Sequence, residues 1–236
     1  MIKKTIAIIP ARGGSKRIPQ KNILDFFGLP MIAWTIKAAI DSKMFDRILV
    51  STDDEVIANI SREHGAEVPF LRETAADDYS HVSSATIAAL RQAESHWDEK
   101  YDVVVQLMAN CPIRDSEDIK SSLNNFFDKK LKFQISCFEY GWMNPWWAVT
   151  LDESDQPKIL FEEADSKRSQ DLEKLFCPTG AIWVAKVNEL FKAGSFYGPG
   201  HVFESISWTS AVDIDEVNDL EMAKAVHIML NADLKN

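Results

Sequence analysis

TIAIIPARGGSKRIPQKN, residues 5–22, joins a short β-branched apolar run to a loop with two glycines and four basic side chains, Arg12, Lys16, Arg17 and Lys21. The run from Thr5 to Pro10 reads as a buried strand, being rich in isoleucine and ending at proline. A strand that opens directly into a glycine-bearing loop suits an α/β unit, where ligands bind beyond the carboxyl ends of the strands. Gly13 and Gly14 allow close backbone approach, and consecutive amides from Ala11 to Ser15 can form an anion-binding nest. Guanidinium and ammonium groups can neutralise a polyphosphate. The loop is neither a Walker A motif nor a G-x-G-x-x-G dinucleotide turn. Composition alone leaves it open between a phosphate loop and a solvated basic loop.

Outward from this stretch, Arg47 to Ser51 and Asp102 to Met108 give two further β-branched runs bounded by polar residues. Helical patterns lie between them. Met31 to Ser42 spaces Ile32, Ile36 and Ile40 four apart, Glu55 to His64 follows an acidic start, and Ser83 to Trp97 carries Ile87, Leu90 and Ala93. Ser116, followed by Glu117 and Asp118, reads as the N-cap of a helix running to about Lys129. Strand, helix and strand in alternation imply right-handed crossovers. The fold class is therefore α/β, a doubly wound, mostly parallel sheet.

From Phe133 the runs shorten to FQISCF, WWAVTL and KILF, and an irregular charged stretch leads to Cys177 and a strand at Ala181 to Val184. This predicts a small inserted arm at about 134–178 within a single domain of 1–236. Trp142, Trp146 and Trp147 suit either a well-packed subdomain or a surface that packs on a second subunit, since aromatics are enriched at interfaces. A strand from Ser207 to Ile214 and a helix from about Glu216 to Asn231 would return the chain to the sheet.

The chain has 236 residues, 46% hydrophobic and 26% charged, which fits one α/β domain and argues against disorder. Its longest apolar stretches are broken by charge within a dozen residues, so no membrane-spanning helix is expected. With 26 basic against 36 acidic residues, the net charge of −10 argues against binding a nucleic-acid backbone or an anionic membrane. The amino-terminal apolar run is too short for an export signal. Cys111, Cys137 and Cys177 form no C-x-x-C pair, which points away from disulfides and zinc and toward a reducing cytoplasm.

IIPARGGSKRIPQKNI, at Ile8 to Ile23, closely resembles the signature of sugar-acid cytidylyltransferases, the CMP-sialic acid synthetase group. The resemblance continues through LVSTDDEVIA at Leu49 to Ala58, FLR at Phe70 to Arg72 with Asp77 and Asp78 following, and CPIR at Cys111 to Arg114. PTGAIW at Pro178 to Trp183 and VDIDEVNDLE at Val212 to Glu221 complete it. It implies a Rossmann-like nucleotidyltransferase with a dimerisation arm. The implied reaction joins CTP to a nine-carbon 2-keto sugar acid, giving the CMP-sugar and pyrophosphate with Mg2+ or Mn2+. The sugar's anomeric hydroxyl attacks the α-phosphorus in line, so the protein mainly aligns reactants and neutralises the leaving pyrophosphate.

By the same resemblance, Arg12 and Lys21 bind the triphosphate, the amides of Ala11, Arg12, Gly13, Gly14 and Ser15 cradle it, and Asn22 and Arg72 hold ribose and cytosine. Asp213 and Asp215 would hold the cation and, with Arg12 and Lys21, make the catalytic set. On a strand, residues two apart share a face, as a shared hard cation requires, while Val212 and Ile214 would face the core. By themselves, acids before a helix also read as caps. Asp54 reads as the N-cap of the following helix, and Asp53 as a neighbour of the nucleotide with no catalytic role. The histidines show no metal-binding spacing, and His81 is the one nearest the family's nucleotide segment.

Sialic-acid enzymes usually read LLQPTSPLR where this chain reads QLMANCPIR, so Met108 stands at the family's glutamine position and Gln106 lies two residues earlier. Asn144 to Ala148, NPWWA, replaces a histidine-proline pattern, and Thr179 stands where related enzymes have asparagine. Met108, Asn110, Arg168 and Gln170 are the expected sugar contacts, with Arg168, Ser169 and Gln170 resembling residues that in this group partly act across the dimer. An apolar methionine favours a deoxygenated or methyl-bearing sugar, because unpaired polar groups are costly to bury. That suggests a legionaminic, pseudaminic or related 5,7-diamino acid. A CMP-Kdo synthetase-like enzyme and a non-catalytic nucleotide-binding protein of the same fold are the alternatives. Partners are CTP, the sugar acid and a second copy in a homodimer.

Overall fold

The computed structural model describes residues 3–72, 82–141, 143–164 and 167–232. Asp77, Asp78, His81 and Trp142, named above, lie outside these. β1 (Thr5–Pro10) runs through the centre, with Ile6, Ala7, Ile8 and Ile9 all fully buried. A strand packed on both faces has no polar side to show, which is why its sequence reads as an unbroken apolar run. A tight hairpin of β2 (Asp25–Phe26) and β3 (Leu29–Pro30) leads to α1 (Met31–Ser42), β4 (Arg47–Ser51), α2 (Glu55–Glu63), α3 (Val82–Trp97) and β5 (Val103–Gln106).

After β5 come α4 (Ser116–Asp128), β6 (Phe133–Glu139), β7 (Val149–Leu151), β8 (Pro157–Ile159) and β9 (Phe176–Lys186), then α5 (Val187–Ala193), β10 (Val202–Ser205) and α6 (Val217–Ala232). The six-stranded sheet has the order β10-β6-β9-β5-β1-β4. β9 is antiparallel to β5 and β6, and the remaining pairs are parallel. Alternate residues of β1 serve opposite layers. Ala7 and Ile9 pack with Ile32 and Ile36 of α1, Ile57 of α2 and Ile119 and Leu123 of α4. Ile6 and Ile8 pack with Ala89 and Leu90 of α3 and Leu190 of α5. The doubly wound, mostly parallel sheet expected from the sequence is the observed architecture.

The caps follow local chemistry. Asp54 Oδ1 accepts from the amides of Val56 at 2.7 Å and Ile57 at 3.2 Å, closing the start of α2. For α4 the cap is Asp115, not Ser116. Its carboxylate accepts from Glu117 and Asp118, while Asp118 accepts from the Asp115 amide at 3.0 Å. An ionised carboxylate one residue earlier wins over the hydroxyl and completes a reciprocal capping box.

The second half departs from the sequence expectation in three places. FQISCF is a sheet strand, buried from Phe133 to Cys137 and paired with β9, so the excursion out of the sheet spans 140–175 and is narrower than 134–178. The strand at Ala181 to Val184 is the inner part of the longer β9. Residues 207–214 form no strand. Ile206 donates to Cys137 O at the end of β10, and the Ser207 and Thr209 hydroxyls then bond locally and turn the chain. Such local side-chain bonding competes with a ladder. Beyond the turn, Val212 and Ile214 are still buried, packing with Ile18, Phe26, Met31 and Ala223 of α6.

Candidate active site

An open cleft of about 210 Å3 lies beyond the carboxyl ends of β1 and β5. Arg12, Ser15, Lys16, Arg17 and Lys21 line one side, and Met108, Asn110, Asp213 and Asp215 the other. The fold thus brings the basic loop opposite the aspartate pair across 200 residues of sequence. The loop's shape is set from within the chain. Ala11 N donates to Ser51 O at 2.9 Å, Gly13 N to Asp53 Oδ1 at 3.0 Å and Ser15 N to Gly13 O at 3.0 Å. Asn22, buried in a single 3-10 turn at Lys21–Ile23, donates its side-chain amide to Arg12 O at 2.9 Å. The amides of Ala11, Gly13 and Ser15 are therefore spent inside the protein rather than presented as an open cradle. Asp53 and Asn22 hold the loop, and the cationic side chains face the cleft.

Arg72 is buried, and its amide donates to Thr52 O at 2.7 Å beside the strand end. Burial lowers its pKa against the opposing pull of Asp53, with Arg12 adding to the lowering, so the three charges share one neighbourhood. Arg72 does not line the cleft. Arg168 and Gln170 are exposed on the arm, Arg168 paired with Asp171 at 2.8 Å, and they too lie outside this cleft.

The aspartates differ in environment. Burial, with Asp215 beside it, pushes the Asp213 carboxyl up to about 6. Burial also acts against ionisation of Asp215, but Lys21 and Arg17 outweigh it and its pKa falls. Lys21 Nζ lies 2.7 Å from Asp215 Oδ1 and Arg17 2.9 Å from Oδ2, with Arg17 also reaching Glu216 at 3.4 Å. The Asn110 side-chain NH2 donates to Asp213 Oδ1 and, at 3.4 Å, to Asp215 Oδ1, so both carboxylates converge on one point.

This donor set fits a hard divalent cation. Mg2+ takes one or two carboxylates and completes its shell with water and substrate phosphates. Among the described residues no group of three or more His, Cys, Asp or Glu gathers around a metal-sized space, so substrate oxygens would have to complete the shell.

Two supporting features escaped the sequence reading. Met108 sits against Gly180, where a Cβ would come within 2.8 Å of Met108 Cγ, so the glycine in PTGA makes room for the methionine. Thr35 Oγ1 donates to Met108 O at 3.2 Å and accepts from the fully buried Arg114 at 2.7 Å. CPIR marked Arg114 as a motif residue, but its contact with α1 spans 79 positions and has no local signature.

A basic loop facing paired carboxylates at the strand ends of a doubly wound sheet is the arrangement of a nucleotidyltransferase. A cytidylyltransferase family model matches residues 6–176. The chain is 35% identical over 227 residues to a pseudaminic acid cytidylyltransferase of Campylobacter jejuni, covering 95% of this chain and 96% of that one. It is 31% identical to a CMP-N,N'-diacetyllegionaminic acid synthase of Legionella pneumophila, covering 90% and 91%. The structure of a CMP:2-keto-3-deoxy-manno-octonic acid synthetase complexed with CTP shares the fold, with a TM-score of 0.70, 17% identity and coverage of 96% and 99%. The chain belongs to the cytidylyltransferase family, among the nonulosonate-activating enzymes.

Gly13 gives a direct check on the loop. An added Cβ would lie 2.6 Å from Asp54 Oδ2 and 2.9 Å from Asp54 Cβ, whereas at Gly14 nothing lies within 4 Å. Asp54 is fixed by its capping bonds, so Gly13→Ala forces the loop outward at about 1–3 kcal/mol. Steady-state kinetics should show KM for CTP raised roughly tenfold in Gly13→Ala and nearly unchanged in Gly14→Ala. Equal effects of the two would mean that the contact with Asp54 does not set the loop.

Proposed function

We propose that this protein is a cytoplasmic, homodimeric cytidylyltransferase that joins CMP to a deoxygenated nine-carbon sugar acid of the pseudaminic or legionaminic class, with Mg2+ or Mn2+. The observation that carries the reading is the meeting of the Arg12 to Lys21 loop with Asp213 and Asp215 in one cleft. The similarity to the Campylobacter jejuni enzyme supports a pseudaminic-type acid. Met108, packed on Gly180 at the cleft wall, supports a sugar with an apolar group. No helix among the described residues is long and apolar enough to cross a membrane.

In the reaction the anomeric oxygen forms a bond to the α-phosphorus as the bond to the pyrophosphate oxygen breaks, and the hydroxyl proton passes to water. Arg12, Lys16 and Lys21 neutralise the triphosphate and the charge that builds on pyrophosphate. Fixing the loop through Asn22 and Asp53 in advance removes reorganisation from the reacting step. A divalent cation held by Asp213 and Asp215 would supply further neutralisation of the phosphate oxygens. Arg17 and Lys21 already pair with Asp215, so nucleotide phosphates compete with a carboxylate for the same cations and draw them across the cleft.

The test is pyrophosphate release with Mg2+ and each nucleoside triphosphate, across pseudaminic, legionaminic, N-acetylneuraminic and Kdo acids. CTP-dependent release with a 5,7-diamino acid, at least about tenfold above N-acetylneuraminic acid in kcat/KM, is expected from the cost of burying unmatched polar groups. Preference for N-acetylneuraminic acid or Kdo would overturn the sugar assignment. No CTP-dependent release with any acid would overturn the reaction.

A further inference from the structure

Asn110 follows β5 and is 3% exposed. Its side-chain NH2 faces three oxygens, donating to Asp213 Oδ1, to Ile214 O at 3.1 Å and to Asp215 Oδ1 at 3.4 Å. Two protons thus serve three acceptors, two of them carboxylate oxygens. On the other side of the same amide, Oδ1 is buried and meets no donor among the described residues. Buried polar atoms are normally paired, so an orphaned amide oxygen beside an oxygen-rich cluster calls for a reason. With both protons engaged and the oxygen enclosed, Asn110 has no group left for the sugar contact expected from the sequence.

The amide torsion is broad and roughly two-fold, so the group can turn over within nearly the same volume. Turned over, Oδ1 joins Asp213 Oδ1, Asp215 Oδ1 and Ile214 O. Four oxygens repel one another unless a cation stands among them, and carboxylate, amide and carbonyl oxygens are the ligands that hard divalent ions take. We propose that Asn110 is a third side-chain ligand of the divalent cation, its NH2 standing in for the ion in the cation-free protein and its Oδ1 replacing the NH2 when the ion binds. This rests on Asp213 and Asp215 being the cation pair. The backbone bond from Ile214 N to Asn110 O, 3.0 Å, holds the two segments together whatever side chain stands at 110.

The experiment titrates Mn2+ into nucleotide-free protein and reads the free ion by electron paramagnetic resonance, with thermal unfolding in EDTA as a folding control. Asn110→Ala should bind Mn2+ about tenfold more weakly, and Asn110→Asp at least about tenfold more tightly, because affinity follows the number and charge of oxygen ligands. In the wild-type protein, Mg2+ should shift the Asn110 side-chain NH2 signals in a 1H–15N spectrum, and Asp215→Asn should abolish that shift. Wild-type Mn2+ affinity in Asn110→Ala, with affinity lost in Asp215→Asn, would overturn the proposal and leave Asn110 a clamp between two carboxylates. Wild-type affinity in Asp215→Asn would overturn the carboxylate pair itself.

Discussion

Asp215→Asn should lower Mg2+-dependent turnover by roughly 10^3-fold, about 4 kcal/mol of transition-state stabilisation, while the protein stays folded. The substitution keeps the shape of the side chain and removes a charge that Lys21 and Arg17 now share. Those cations are then free for the triphosphate, so CTP binding in EDTA should be unchanged or tighter even as turnover collapses. A kcat loss without a rise in KM is the signature of an interaction made in the transition state. A variant that merely unfolded would lose CTP binding as well. Near-normal turnover at saturating Mg2+ would sink the assignment of this carboxylate to the cation.

The sequence was most legible where burial is two-sided. β1 and β5 are inner strands and β4, at the sheet edge, is buried from Leu49 to Ser51, and their unbroken apolar runs have few other readings. β9 was harder, because its outer half is partly exposed and contains Pro178, leaving AIWV as the visible part. β10 is a four-residue edge strand with a half-exposed pattern and was missed.

The stretch around the aspartates misled in an instructive way. Val212, Asp213, Ile214 and Asp215 alternate buried and half-buried as a strand would, yet they make no ladder. Ile214 donates its N–H to Asn110 O and takes the Asn110 NH2 on its carbonyl, so one residue does the work of a neighbouring strand. The inference that both carboxylates share a side survives, because the one Asn110 NH2 reaches them both. Their link to Asn110 spans more than 100 positions, and no local pattern reports such a contact.

For the homodimer proposed above, Leu151→Asp combined with Ile159→Asp should leave a single chain in solution and cut sugar-dependent turnover by about 100-fold. The hairpin of β7 and β8 is exposed along both strands, with Leu151 62% and Trp147 46% open to solvent and Val149, Ile159 and Leu160 similarly uncovered. Two strands alone are marginal in water, and an apolar surface of this kind marks an interaction site. Covering these side chains contributes about 1 kcal/mol each. The proposed second copy would also give a role to Arg168 and Gln170, which stand on the same arm outside their own chain's cleft. Charge placed on the hairpin would therefore separate the copies and withdraw the arm residues from the partner's site, leaving CTP binding by the Arg12 to Lys21 loop intact. Light-scattering mass and pyrophosphate release decide the matter together. A single-chain mass for the wild-type protein at micromolar concentration, or full turnover by a monomeric double variant, would refute the role of the arm.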